Sequence, residues 1–392
     1  MSGPARVCRV ERLRLFRFRN YDDEVVELGP GLNVVSGRNA QGKTTLLEAI
    51  ATLALTRSPR ASSSAELIRW GEPVCRVEAT VVRPDGPTRL DMRIQRGGGE
   101  DSERAVRSTV VDGKDRPARA LLGVCPVVLF WPEDLMLVKG GPEARRRLLD
   151  VVLSQLDARV AAELVRYRRT LEQRNALLRQ IRLGAASADA LAGFTAELAR
   201  SGGVVQVARA RLVAQLDGLA AEALAELSGG HEHLGLRYLT EGDIEVAGDV
   251  AAMEAALLAL LESRHTEECA RGTTVAGPHR DDVEILLEGR PARTSASQGQ
   301  QRSAVLACKL AEVRHVTAEA GMAPVLLLDD VLSELDAGRR ARLLESLGAG
   351  SQCQALLTTT EAEPAGLPAS VAVTRFVVEA GRITGDARTS AA

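Results

Sequence analysis

Lysine is nearly missing from this chain. Only Lys43, Lys114, Lys139 and Lys309 are lysines, and every other basic residue is arginine. So general a bias lowers the weight of any arginine cluster and raises that of a lysine at a chemically demanding position. Aromatic residues are also scarce, at 3%, which leaves core filling to Leu, Val and Ala. No apolar run is long enough to cross a bilayer: the longest, around 120–131, is broken by Gly123 and Pro126. Residues 1–19 carry arginines throughout and no apolar signal core, so a cytoplasmic protein with no membrane association is expected. The six cysteines lie far apart without CxxC or metal-ligand spacing, which argues against a disulfide framework or a zinc site and for reduced core residues. His231 and His233 have no third ligand nearby and read as a solvated turn. No Ser-His-Asp or Cys-His arrangement can be built from spacing. Net positive charge is absent too. The formal balance is −2, so any affinity for nucleic acid must come from local patches.

What remains is a globular composition, 45% hydrophobic and 26% charged over 392 residues, long enough for two or three domain-sized units. The start reads as strands: Leu13, Leu15 and Phe18 interleave with Arg12, Arg14, Arg17 and Arg19, and runs at 25–28 and 32–36 are separated by Gly29-Pro30-Gly31. An edge hairpin feeding a central strand is the expected form. Apolar residues recur at helical spacing over 148–182 and again over 191–227, predicting two long amphipathic helices paired antiparallel. Strand character returns at 283–287, 325–328, 355–360 and 371–378. The helices thus form an insertion between strand-rich ends.

The most specific motif is Gly37-Arg38-Asn39-Ala40-Gln41-Gly42-Lys43-Thr44, a GxxxxGKT phosphate-binding loop between an apolar strand and a helix-like run. The glycines let the backbone turn and present its N–H groups to phosphate oxygens at the positive end of the helix. Lys43 would sit on the β- and γ-phosphates of ATP, and Thr44 would hold Mg²⁺. Lysine in so arginine-rich a chain implies that a compact ammonium is needed there. A second motif is the apolar run Val325-Leu326-Leu327-Leu328 ending in Asp329 and Asp330; by itself it could be a buried strand with a turn acid. Beside the loop, Asp329 reads as the Mg²⁺-side acid and Asp330 as the group that polarises the attacking water. A third, Ser297-Gln298-Gly299-Gln300-Gln301, precedes a helix-like run and matches the ABC-type signature. There a hydroxyl and backbone amides grip the γ-phosphate bound to the opposite subunit. Ser333-Glu334-Leu335-Asp336 falls at the D-loop position of that class. Ala40 stands where many such loops have glycine, tolerable if its φ is negative. Thr358, Thr359 and Thr360 occupy the place of a switch histidine, which suggests slow hydrolysis. No Q-loop glutamine is evident, and Glu133 is only a positional candidate.

Further blocks narrow the resemblance. Leu47-Glu48-Ala49-Ile50, Pro132-Glu133-Asp134-Leu135, Val138-Lys139-Gly140, Arg145-Arg146-Arg147-Leu148-Leu149-Asp150 and Gly277-Pro278-His279-Arg280-Asp281-Asp282 occur in one order. With these the chain resembles the RecF family, over roughly 10–383. The resemblance implies an α/β fold: a P-loop ABC-type ATPase head related to SMC heads, with a strand-rich lobe I and a mainly helical lobe II bearing a short antiparallel arm. Lobe I would comprise 1–118 and 320–392, and lobe II 119–319. It also implies a weak ATPase that dimerises around ATP, binds single- and double-stranded DNA without sequence preference, and works with RecR and RecO in loading a recombinase at gaps. His279 reads as hydrogen-bonded within its own turn rather than as an acid–base group.

For DNA, ten arginines face four acids between Arg145 and Arg182, an excess that is either a solvated face or a phosphate track. Arg166, Arg168 and Arg169 are the candidate contacts, with Arg12, Arg14 and Arg17 on the first strand as the rival surface. Two other classes share part of the pattern. A transporter ATPase subunit would have the three ATP motifs but not the helical insertion. An SMC-type chromosome protein would need far longer heptad arms than this chain provides.

Overall fold

The computed structural model describes residues 7–97, 105–242, 246, 248–331, 338, 340, 353–361 and 373–389. The chain forms two compact units, Met1–Asp134 with Glu312–Ala392, and Leu135–Ala311.

The first unit is built on two six-stranded sheets. In one, Leu32–Ser36 lies between Ala355–Thr359 and Val373–Glu379, all parallel; Val325–Asp329 and Val127–Phe130 extend it on one side, and the antiparallel Arg382–Thr389 closes the other. The inner strands Val325–Asp329 and Ala355–Thr359 are buried at every position, as a parallel strand covered on both faces must be. The second sheet is antiparallel, built around Arg9–Phe16, Val74–Arg83 and Gly86–Arg96. Its period-two alternation puts Cys75, Val77, Ala79 and Val81 inside and charged residues outside. That alternation could have predicted Val74–Arg83, a strand that local motifs alone did not mark.

The helix Lys43–Leu55 is buried almost all round and packs against strands of both sheets. A helix without a polar face needs cover on every side. Gln354, fully buried, bonds Val10 N and O and the Gly29 carbonyl at 2.7–2.8 Å, so one side-chain amide satisfies polar groups where the layers meet.

Two expectations are corrected here. Arg9–Phe16 and Asp23–Glu27 do pair as a hairpin, but within the antiparallel sheet; Leu32–Ser36 belongs to the other sheet. Residues 119–134 and 312–319, expected in the helical lobe, lie with the first unit; Val127–Phe130 pairs in register with Val325–Leu328 of the parallel sheet.

The second unit carries the long helices of the insertion. The first predicted helix is in fact two, Pro142–Leu156 and Ala158–Arg182. Asp157 breaks them: its backbone is extended, and its carboxylate accepts from Arg159 N at 2.7 Å and Val160 N at 3.3 Å, a helix N-cap. The next long helix is Ala192–Ser228. Contacts of Glu163 with Arg200 and of Arg166 with Glu197 run in opposite senses along the two helices, so the pair is antiparallel, as expected. Val250–Ser263 packs on Ala192–Ser228, and a three-stranded sheet of Leu234–Leu239, Asp282–Leu287 and Arg290–Pro291 completes the unit.

Candidate phosphate-binding site

The loop Gly37–Thr44 leaves the Leu32–Ser36 strand and enters the helix Lys43–Leu55. Gly37 and Gly42 have φ of 150° and 122°, and a Cβ at Gly37 would come within 2.4 Å of the Val378 carbonyl. Only glycine meets both demands. Ala40 corrects an expectation: its φ is +63°, not negative, so its Cβ sits in the left-handed region at a cost of roughly 1–2 kcal/mol.

The loop is braced from outside. Asn20 Nδ2 donates to Gln41 O at 2.8 Å, the Tyr21 hydroxyl to Gly42 O at 2.9 Å, and Gln41 Oε1 accepts from Ala380 N at 2.7 Å. Burial, with the Glu24 charge second, pushes the Tyr21 phenol well above its ordinary range, so it remains a donor. These braces were not predicted. They act through tertiary contacts that no local spacing shows.

Lys43 Nζ donates to Gly37 O at 2.7 Å and Arg38 O at 2.9 Å. Burial lowers its pKa, while the charges of Asp330 and then Asp329 oppose that shift. Thr44 Oγ1 lies 2.8 and 3.0 Å from the Asp329 carboxylate oxygens. Thr358 supplies a link that the sequence did not suggest: its hydroxyl bonds Asp329 Oδ1 at 2.7 Å and accepts from Asp330 N at 3.0 Å. Burial pushes the Asp329 carboxyl up, hydrogen bonds from Thr358 and Thr44 pull it back, and Arg60 and Glu133 add smaller opposing effects. The site thus unites Lys43, Thr44, Asp329 and Asp330. Arg38 and Asn39 complete the loop. An open cleft of about 1530 Å³ is lined by these groups together with Arg60 and Trp70.

Ser297 and Gln300, in the second unit, stand at the head of the helix Gln298–Ala320. Ser297 N donates to Gln300 Oε1 at 2.9 Å and Gln300 N to Ser297 Oγ at 3.3 Å, a reciprocal capping box. Ser297 and Gln298 are exposed, Gly299 half-buried. Asp336 lies outside the described residues.

The arginines proposed for DNA are mostly engaged. Arg166 faces Glu163 and Glu197, Arg168 reaches Asp150 at 2.9 Å, Arg12 faces Glu27, Arg14 holds Asp23 in a fork of two 2.8 Å bonds, and Arg17 pairs with Glu72. Arg169 is exposed with no ion pair among the described residues.

The blocks 145–150 and 277–282 brace one another. Arg145 forks onto Asp282 at 2.7 and 2.9 Å; Arg209 bonds Asp150 and Pro278 O; Asp281 accepts from Gln206 and Tyr238. Arg174 and Glu268 form a fully buried pair at 2.6 Å. His279 Nδ1 lies 2.6 Å from the Tyr167 hydroxyl and Nε2 3.2 Å from Thr274 O, so its bonds reach beyond its own turn. Chiefly through burial, its pKa is lowered to about 4.

Residues 9–377 match the family model of the RecF/RecN/SMC N terminal domain. The DNA replication and repair protein RecF of Chloroflexus aurantiacus is 43% identical over 95% of this chain and 99% of that one. The chain belongs to the RecF family. RecF of Limosilactobacillus fermentum is 37% identical over 96% of this chain and 98% of its own. A solved structure of the recombination mediator protein RecF with ATP, from the RecFOR pathway, matches with a TM-score of 0.87 at 30% identity, covering 99% of this chain and all of the other. The Smc head domain of Pyrococcus furiosus, at TM-score 0.55 and 16% identity, shares the fold. RecF membership thus puts this chain among DNA replication and repair proteins with a head of the SMC type. No helix among the described residues is long and apolar enough to cross a membrane.

Proposed function

We propose that this chain is an ATP-switched DNA-binding protein of recombinational repair. The observation that carries the reading is the convergence of Lys43, Thr44, Asp329 and Asp330 on one cleft from segments nearly 290 residues apart. In it, the amides of Gly37–Thr44 and the Lys43 ammonium bind the phosphates of ATP. Thr44 and Asp329 are hard oxygen donors 2.8 Å apart, suited to Mg²⁺, which when bound would neutralise phosphate charge. Asp330, beside Lys43, orients water for slow hydrolysis. Ser297, Gln298, Gly299 and Gln300, with Asp336, complete the site of a second copy, so that ATP joins two protomers. The ATP-bound RecF relative supports the nucleotide part of this reading, and its RecFOR pathway supports RecO and RecR as partners.

Single- and double-stranded DNA would be held through phosphates, without sequence preference. Sedimentation tests the core of the reading. Monomers without nucleotide or with ADP and dimers with ATP are expected, with Lys43→Ala monomeric throughout. Equal association in all three states would overturn the ATP-switched dimer. Asp330→Asn should bind ATP and dimerise like the parent while phosphate release falls at least tenfold.

A further inference from the structure

Trp70 is the most conspicuous side chain outside the phosphate loop. It is 94% exposed in a chain with two tryptophans, although so large an apolar surface is normally covered. It is also rigidly mounted. Glu72 N donates to Arg69 O at 3.0 Å, closing a four-residue turn, and Gly71 at its third position has φ +80°, as a type II turn requires. Trp70 therefore occupies the projecting corner. The turn is tied down by Arg69 N to Arg17 O at 2.8 Å, by Arg19 N to Leu67 O at 2.9 Å, and by the Arg17–Glu72 ion pair.

Those ties lead directly to the phosphate loop. The segment that holds the turn continues into Asn20 and Tyr21, which bond Gln41 and Gly42. From Arg17 to Asn20 the chain can span at most roughly 10 Å, so the backbone that anchors the turn and the backbone that braces the loop are near neighbours. Trp70 and Pro73 line the same cleft as Lys43, Thr44 and Asp329, together with Arg19 and Arg60. The same cleft thus carries both phosphate chemistry and an aromatic face.

Resting on the nucleotide reading above, we propose that Trp70 is the base-stacking residue of the site, its indole packing against the adenine ring of ATP whose phosphates lie on Lys43. The fixed turn means that little ordering cost accompanies stacking. Stacking selects for a planar base rather than for one base over another.

The test compares ATP with inorganic tripolyphosphate, which has the phosphates without the base, by calorimetric titration of the full-length protein. Trp70→Ala should weaken ATP binding about tenfold, the scale of one base–aromatic stack, and leave tripolyphosphate unchanged. Trp70→Phe should restore most of the ATP affinity. Because the side chain is exposed, neither variant should lose folding stability. Unchanged ATP affinity in Trp70→Ala overturns the proposal alone; if dimerisation falls instead, the indole belongs to a protein interface. An equal loss of both ligands also overturns it. A parent protein that binds neither ligand overturns this proposal and the nucleotide reading together.

Discussion

A few side chains carry opposing obligations to stability and to ligand. Asp329 is buried and its pKa is raised, so its ionised form is disfavoured in the folded protein. Folding stability contributed by this group is greatest below its unfolded pKa and declines as pH rises through the folded one. Asp329→Asn, which can keep bonds with Thr44 and Thr358, is therefore expected to raise the melting temperature at neutral pH while abolishing metal-dependent phosphate release. His279 works in the other sense. Its folded pKa of about 4 lies below the ordinary 6.5, so the stability tied to its neutral form is complete above pH 6.5 and is lost as pH falls towards 4. The difference amounts to on the order of 3 kcal/mol. Denaturant midpoints from pH 7 to pH 4 should fall more steeply for the parent than for His279→Gln. Parallel profiles would show that the imidazole is not held neutral.

The helical arm shows how a charge count along one element can mislead. Between Arg145 and Arg182 the excess of arginine over acid looks like a phosphate track, yet Asp282, Glu197 and Glu268, from elsewhere in the chain, meet Arg145, Arg166 and Arg174. The exposed arginines of Ala158–Arg182 without such partners among the described residues are Arg159, Arg169, Arg179 and Arg182. If this helix touches DNA, Arg169→Ala should lower the slope of log affinity against log salt by about 0.9 for duplex DNA. Arg168→Ala should act mainly on stability, by up to about 1 kcal/mol since its guanidinium is half-exposed. An unchanged slope in Arg169→Ala would move the search to the antiparallel sheet. The loop, the acidic strand and the long helices were legible because each depends on residues close in sequence. The break at Asp157 was also written locally, as a cap residue before a helical run, but apolar periodicity continues across it and hides it. Thr358, Asn20 and Tyr21 were not legible, since each gains its role from a partner that only folding brings near.

For the whole molecule, the exposed capping box of Ser297 and Gln300 leaves two explanations for the same residues: helix stability, or contact with a nucleotide held by another protomer. Ser297→Asp separates them. Aspartate caps a helix as well as serine does, but its charge would repel a γ-phosphate. Unchanged melting with loss of the ATP-dependent dimer is expected; a dimer as strong as the parent's would leave Ser297 as a cap alone. The same distinction between buried and exposed charge decides how the protein responds to ionic strength. Pairs such as Arg174–Glu268 and Arg209–Asp150 lie where mobile ions do not reach, so salt screens them little, whereas a phosphate held at an open surface is released as counterions return. If the chain binds DNA as proposed, raising salt should strip it from the protein well before it loosens the helical unit, so that a salt titration of binding reports on contacts with DNA and not on unfolding.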